Sequence, residues 1–306
     1  MGIAVIPAAG GGVTPKSQEF TSTGTWTAPS NTTSIDLFLV GGGGGAGGGL
    51  VGQNNHALAG GGGGGGAVIK RIVPVTPGVT YTFTIGAGGA GGTSSAAGAV
   101  GSDSTMTGSG FTTITALGGG GAPSANRNNG TYYNGTARAT SGGGYGFQGS
   151  ISGGGGGAAG NGFSFNGTRP DIDGIGVYFA GTGNTYRYPL APGDASIPSS
   201  GGMGGMSINN TRFGISQGGV GIDNYGAGGP GAGTEADNTY LALVGSFAGI
   251  AFRNGTGCTA QNGVSSFANT GNGGGGSLCW NSGDCGQQSA SGGAGGSGYA
   301  RISYMS

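Results

Sequence analysis

Glycine runs recur along this chain, and the other residues inside them tend to fall at every third position. Gly86-Ala87-Gly88-Gly89-Ala90-Gly91-Gly92 has alanine at that spacing, Gly201-Gly202-Met203-Gly204-Gly205-Met206 has methionine, and Ala294 and Ser297 repeat it near the end. Three residues per turn is the period of a polyproline-II helix, which makes no internal hydrogen bonds. When buried, such a helix must exchange N–H and C=O bonds with its neighbours, and backbones approach closely enough only where side chains are missing. The period therefore predicts a bundle of glycine helices with Ala87, Ala90, Met203, Met206, Ala294 and Ser297 facing outward. An all-glycine run such as 61–66 suits the middle of the bundle. Collagen demands one glycine in three over long, proline-rich stretches, and 11 prolines scattered among short tracts do not supply that.

With 85 glycines in 306 residues, disorder is the competing explanation. Disordered chains are rich in charge and poor in aromatics, whereas this one has 10 basic residues, 10 acidic residues, 12 Phe, 11 Tyr and 2 Trp. The aromatics argue for a packed fold, and the sparse, isolated Lys and Arg argue against nucleic acid as a partner. No apolar run is long enough for a spanning helix, so membrane insertion is not expected, and residues 1–16 do not read as a signal peptide.

Strand signals concentrate in the first third. Segment 18–29 is Thr-rich with aromatics and ends at Pro29; Ser34–Val40 runs straight into Gly41; 67–75 leads through a Pro77-Gly78 turn to 79–85. In the last of these Tyr81, Phe83 and Ile85 share one face and the threonines the other, as in a half-buried strand. Segments 111–116 and 299–304 complete the set, so the two ends of the chain are expected to pair. No segment has a helical stripe, since Gly245 and Gly249 interrupt the nearest candidate. The expected fold is mainly β. An N-terminal arm, 1–16, precedes a small β-sandwich-like domain, 17–117, that includes the first glycine tracts. A polyproline-II bundle with long loops, 118–297, follows, and a C-terminal strand, 298–306, returns to close the sandwich.

Motifs for chemistry are weak. With this glycine content the phosphate-binding pattern Gly-x-Gly-x-x-Gly arises by chance about six times, and no Gly-Lys-Ser/Thr follows any run. The single histidine, His56, lies in a polar stretch between two tracts, without a second imidazole to help hold a metal. Asp171, Asp173, Asp223, Glu235 and Asp237 lack calcium-loop spacing and read as solvated turn residues. Cys258, Cys279 and Cys285 allow one disulfide and one free thiol, or three unpaired thiols; paired short zinc spacings are missing. No enzyme activity, cofactor or metal is therefore expected.

The long loops are rich in Tyr and Arg. Tyr132, Tyr133 and Arg138, then Tyr178 and Phe179, then Tyr186, Arg187 and Tyr188 are candidate receptor-binding residues, because rigid amphipathic aromatics give contact area at small entropic cost. The other reading is that loop aromatics, Tyr225 and Tyr240 among them, roof a bundle that has no side chains of its own.

Taken in order, 20–29, then 35–45, then Val73-Pro74-Val75-Thr76-Pro77-Gly78, then 81–89, and finally Gly298-Tyr299-Ala300-Arg301-Ile302 resemble the glycine-rich domains of bacteriophage tail-fibre and tail-tip proteins. The resemblance covers nearly the whole length and is similar in kind to the polyglycine-helix distal adhesins of T-even-like phages. It implies a virion protein made in the host cytoplasm whose loops bind a bacterial surface receptor, protein or glycan. Its other implied partners are tail or fibre proteins and further copies of itself. A purely structural virion role, in the tail tip or as decoration, and ice binding are the alternatives.

Overall fold

A computed structural model describes residues 13–51, 56–122, 124–126, 131–133, 178–181, 184–187, 221–229, 259–281 and 286–306. These residues form strands and extended tracts, and no helix occurs among them. The strands are β1 (Pro15–Phe20), β2 (Gly24–Thr27), β3 (Ser34–Val40), β4 (Gly49–Val51), β5 (His56–Ala59), β6 (Val68–Pro74), β7 (Thr80–Thr84), β8 (Ser104–Gly108) and β9 (Ile114–Ala116). After them come β10 (Ser124–Asn126), β11 (Thr131–Tyr133), β12 (Tyr178–Gly181), β13 (Asn184–Arg187), β14 (Thr259–Gln261), β15 (Leu278–Asn281), β16 (Gln288–Ala290) and β17 (Tyr299–Met305).

Two antiparallel sheets, ordered β1-β17-β3-β6 and β2-β7-β8-β9, make a sandwich. The chain ends do pair, Pro15 opposite Met305 through Phe20 opposite Ala300, so the C-terminal strand closes the first sheet. Alternation sets the core: Tyr81, Phe83, Ile35, Leu37, Leu39, Met106 and Ile302 are buried between the sheets. Phe20 stacks on Phe83 with centroids 4.3 Å apart, and Trp26 lies 5.0 Å from Tyr304. Segment 18–29, which reads as one strand, is two: Phe20 ends β1 in one sheet and Trp26 belongs to β2 in the other, with the crossing at 21–23. Strand β8 lacks a sequence signal because Ser104-Thr105-Met106-Thr107-Gly108 contributes a single large apolar residue, Met106, which is fully buried.

Six sandwich strands continue without interruption into glycine tracts. Tracts 41–48, 86–92 and 117–122 leave β3, β7 and β9, while 60–67, 97–104 and 291–298 lead into β6, β8 and β17. In the sandwich the two sheets are held apart by side chains, at roughly 10 Å, and bond only within themselves. Beyond it the side chains vanish and hydrogen bonds run between sheets as well. The N–H groups of Gly41, Gly44 and Gly47 donate to the carbonyls of Ala67, Gly64 and Gly61; those of Gly42 and Gly45 to Ser102 and Ala99; those of Gly43 and Ala46 to Gly296 and Gly293. The carbonyls of the same tract accept from three others, Gly43 and Ala46 from Gly89 and Gly92, Gly42 and Gly45 from Gly119 and Ala122, Gly44 and Gly47 from Gly274 and Ser277. Partners on each side recur every third residue.

Tract 41–48 is therefore enclosed by six tracts, 60–67, 117–122, 97–104, 86–92, 291–298 and 271–277, each bonded to the next around the ring and alternating in direction. Two further tracts sit outside, 226–229 against 60–67 and 271–277, and 262–269 against 291–298 and 271–277. The bonds resolve into three layers of three: 86–92, 291–298 and 262–269; then 97–104, 41–48 and 271–277; then 117–122, 60–67 and 226–229. Serine hydroxyls close the ends of the enclosed tract. Ser104 Oγ donates to the Val40 carbonyl at 2.6 Å and accepts from the Gly86 N–H at 2.9 Å, while Ser124 Oγ accepts from the Gly48 N–H and Ser277 Oγ donates to the Gly47 carbonyl.

Tract 41–48 lies at the centre, whereas 60–67, all glycine up to Ala67, lies in an outer layer and is buried throughout. The reason is in the sheet: β3 has a strand on each side and β6 is an edge, so the continuation of β3 inherits the larger number of neighbours. A single side chain, the methyl of buried Ala46, is accommodated in the central tract. Two tracts escape detection as glycine runs. In 97–104, only Gly98, Gly101 and Ser104 are buried, and in 262–269 Gly263, Ser266 and Asn269 face inward while Val264 and Phe267 are exposed. An outer tract needs one small residue in three, not two glycines in three. Ala87 and Ala90 are exposed, Ala294 and Ser297 half-buried, and Met203 and Met206 lie outside the described residues.

A methyl carbon built on Gly63 would overlap the carbonyl of Gly44, a backbone atom that cannot swing away, whereas the side chain of Ala90 is exposed. Gly63→Val is expected to destabilise the protein by more than about 4 kcal/mol or abolish folding, and Ala90→Val to change stability by about 0.5 kcal/mol or less. Equilibrium denaturation of the two variants measures the contrast.

Candidate functional site

The sandwich closes one end of the tracts, and the chain turns back at the other. There β11-β10-β4-β16 form one small sheet and β14-β15-β5 a second. Strands β4 and β10 pair in parallel because they extend tracts 41–48 and 117–122, which run the same way. Antiparallel β11 returns beside β10, with Tyr133 opposite Ser124 and Tyr132 opposite Ala125, and occupies the edge of its sheet. Tyr132 and Tyr133 thus belong to the end of the molecule away from the sandwich. Strands β12 and β13 form a hairpin that sets Tyr178 opposite Arg187 and Phe179 opposite Tyr186. Four of the candidate receptor residues share that hairpin, while Arg138 and Tyr188 lie outside the described residues.

The connections differ in kind between the two ends. Around the sandwich they are short, as at 21–23, 28–33, 75–79 and 109–113. The chain enters the long segments 134–177 and 230–258 from β11 and from tract 226–229, and leaves the latter through β14.

Tyr225 sits elsewhere than in a recognition loop. Ile222 and Tyr225 bridge around Asp223 and Asn224, whose φ angles of 50° and 73° are those of a tight hairpin turn, and an Asp-Asn pair between apolar residues is its sequence signal. The turn packs on the outer face of the first sheet, against Phe38, Val40, Val68 and Tyr299. Tyr225 stacks on Tyr299 at 5.3 Å and meets the edge of Phe38 at 4.9 Å. Lys70 Nζ lies 3.1 Å from Asp223 Oδ2, an exposed pair that contributes little beside the aromatic packing. The turn pins the chain between two long segments to the sandwich, so Tyr225 covers the outer face of a sheet and not the glycine bundle.

Ionisable groups are few. His56 opens β5, its backbone paired with Asn281. Among the described residues no three His, Cys, Asp or Glu side chains come together to hold a metal. Of the acidic candidates Asp223 is described, in the 222–225 turn and paired with Lys70 of β6; Asp171, Asp173, Glu235 and Asp237 lie outside the described residues. Cys279 is buried and unpaired, and its Sγ donates to the Gly49 carbonyl at 3.3 Å; Cys258 and Cys285 lie outside the described residues. Burial pushes its thiol up from 9.0 to about 12, offset in part by a hydrogen bond with the Ala290 backbone. Such a thiol is a packed core group and not a nucleophile.

With Cys258 and Cys285 changed to serine, Cys279 is expected to resist a thiol reagent at pH 8 until the protein unfolds. Above pH 9 the unfolded thiol releases a proton that the folded one keeps until about 12, so stability falls as pH rises through that window, by up to about 1.4 kcal/mol per unit. Cys279→Ala should remove this component of the pH dependence, read by denaturation at stepped pH.

No curated protein matches the sequence. A family model described as a glycine-rich domain matches residues 17–305, which takes in all but the first two residues of the sandwich sheets and the nine described tracts, and the chain belongs to that glycine-rich domain family.

Proposed function

We propose that the protein is a bacteriophage tail-fibre or tail-tip adhesin, which holds receptor-binding loops on a glycine scaffold. The observation that carries this reading is the division of labour along the tracts. Backbone bonds in three directions make a stiff body, short turns close the sandwich end, and strand β11 with Tyr132 and Tyr133 lies at the other. A scaffold with few side chains can present variable segments without coupling their sequence to a core. Register pairing in β12 and β13 supports the reading further, since it gathers Tyr178, Phe179, Tyr186 and Arg187 on one hairpin. Tyrosine and arginine together are the chemistry of adaptable recognition of protein or glycan surfaces. The order of strand and glycine motifs that resembles phage tail-tip domains supports a virion location.

Fluorescently labelled protein binding to a panel of bacterial strains tests the proposal. Binding is expected to at least one strain, and combined Tyr132→Ala, Tyr133→Ala, Tyr186→Ala and Arg187→Ala is expected to weaken it more than about tenfold while the unfolding midpoint stays in place. Undiminished binding by that variant overturns the loop assignment. No binding to any strain, with the protein located inside the tail assembly, favours a purely structural virion role.

A further inference from the structure

The two flanks of the sandwich are closed differently. On one, β1 and β2 are the edge strands, joined across 21–23 and sealed by the Phe20–Phe83 stack and by Trp26 against Tyr304. On the other, β6 and β9 are the edges, and a cleft of about 520 Å³ opens between β6 and the β8–β9 turn. That size falls in the usual range for binding clefts. Its base is apolar, with Val73, Val75, Tyr81, Ile114 and Phe111, whose ring meets Tyr81 edge-on at 5.3 Å.

Strand β6 is stripped of cover where it borders this cleft. Lys70, Arg71 and Ile72 are all exposed, and Ile72, at 76 %, is the most exposed large apolar side chain among the described residues. Arg71 has the parity of Ile69 and Val73, which face the core, so it stands on the inner face of an open edge. It makes no ion pair among the described residues, and Asp223 is paired with Lys70 on the other face. Among the described residues no carboxylate lines the cleft, and Arg71 is its single ionic group.

We propose that this cleft receives an extended strand of another protein. The strand adds to the free edge of β6, lays an apolar side chain over Tyr81 and Phe111, and places a carboxylate against Arg71. A free edge supplies backbone hydrogen bonds and the apolar base supplies side-chain selection, the division found whenever a peptide augments a sheet. The unanswered cation selects the sign of the partner. In the isolated protein an inward-pointing charge blunts the edge against indiscriminate pairing, and an acidic partner turns the same charge into a contact. The cleft lies on the sandwich, away from β11, so the strand docks without competing with the receptor reading and does not depend on it.

Fluorescence anisotropy of the full-length protein with two short labelled peptides decides the matter, one alternating aspartate with valine and phenylalanine, the other lysine with the same apolar residues. The acidic peptide is expected to bind and the basic one not. Arg71→Glu, an exposed change, should weaken the acidic peptide about tenfold or more and favour the basic one, and Lys16→Glu on β1 should do neither. Amide shifts on peptide addition should fall at 70–76 and 109–114. Equal binding of both peptides, no binding of either, or binding indifferent to Arg71→Glu overturns the proposal. So does self-association of the protein through this flank, which would make a second copy the occupant.

Discussion

Everything in this fold depends on backbones bonding to backbones in three directions at once. A β-sheet bonds in one plane because its side chains hold neighbouring sheets roughly 10 Å away. Removing the side chains lets two facing sheets converge until their peptide groups reach one another, and the three-residue repeat points successive N–H groups at three different neighbours. Tract 41–48 shows the completed form, with the N–H groups of residues 41–48 and the carbonyls of 42–47 all bonded to partners around it. Glycine is costly to order, at roughly 0.5–1 kcal/mol per residue relative to alanine. Satisfying buried backbone groups in full is what offsets that cost.

The sandwich solves the register problem that bare glycine cannot. A run without side chains has nothing to fix its sliding, so its alignment must be imposed from an end. Because β3, β6 and β17 pair in one sheet, their continuations 41–48, 60–67 and 291–298 start in register; β7, β8 and β9 do the same for 86–92, 97–104 and 117–122. Phe20 on Phe83 and the leucines of β3 lock the two sheets relative to each other, and Ser104 ties both to the first bonds of the tracts. Side-chain packing at one end thus specifies geometry at the other.

Much of this is legible in the residues. Alternation in 34–40 and 79–85 and the spacing of Ala87 and Ala90 predict strands, faces and exposure, because each is a local pattern. What escapes reading is set by neighbours. Outer tracts such as 262–269 need one small residue in three, too weak a signal in a chain this rich in Gly, Ser and Asn. The centre falls to 41–48 and not to the purer 60–67 because strand order decides it. At the candidate site the residue types are readable and their grouping is not: nothing in the spacing shows that Phe179 pairs with Tyr186 in register, or that Tyr225 packs on Phe38 and Tyr299 of the sandwich. The cleft beside Arg71 is likewise invisible in sequence, since it arises where two edge strands of different sheets fail to meet.

Native-state hydrogen exchange resolved by residue tests the three-direction bonding most directly. Amides of residues 42–48 should exchange only through global unfolding, and the exposed-layer tract 86–92 should show protection at Gly86, Gly89 and Gly92, whose N–H groups bond to Ser104, Gly43 and Ala46. Ala87, Gly88, Ala90 and Gly91, with no N–H partner among the described residues, should exchange fast. Protection that alternates every second residue, or exchange in 42–48 as fast as in a loop, would contradict it.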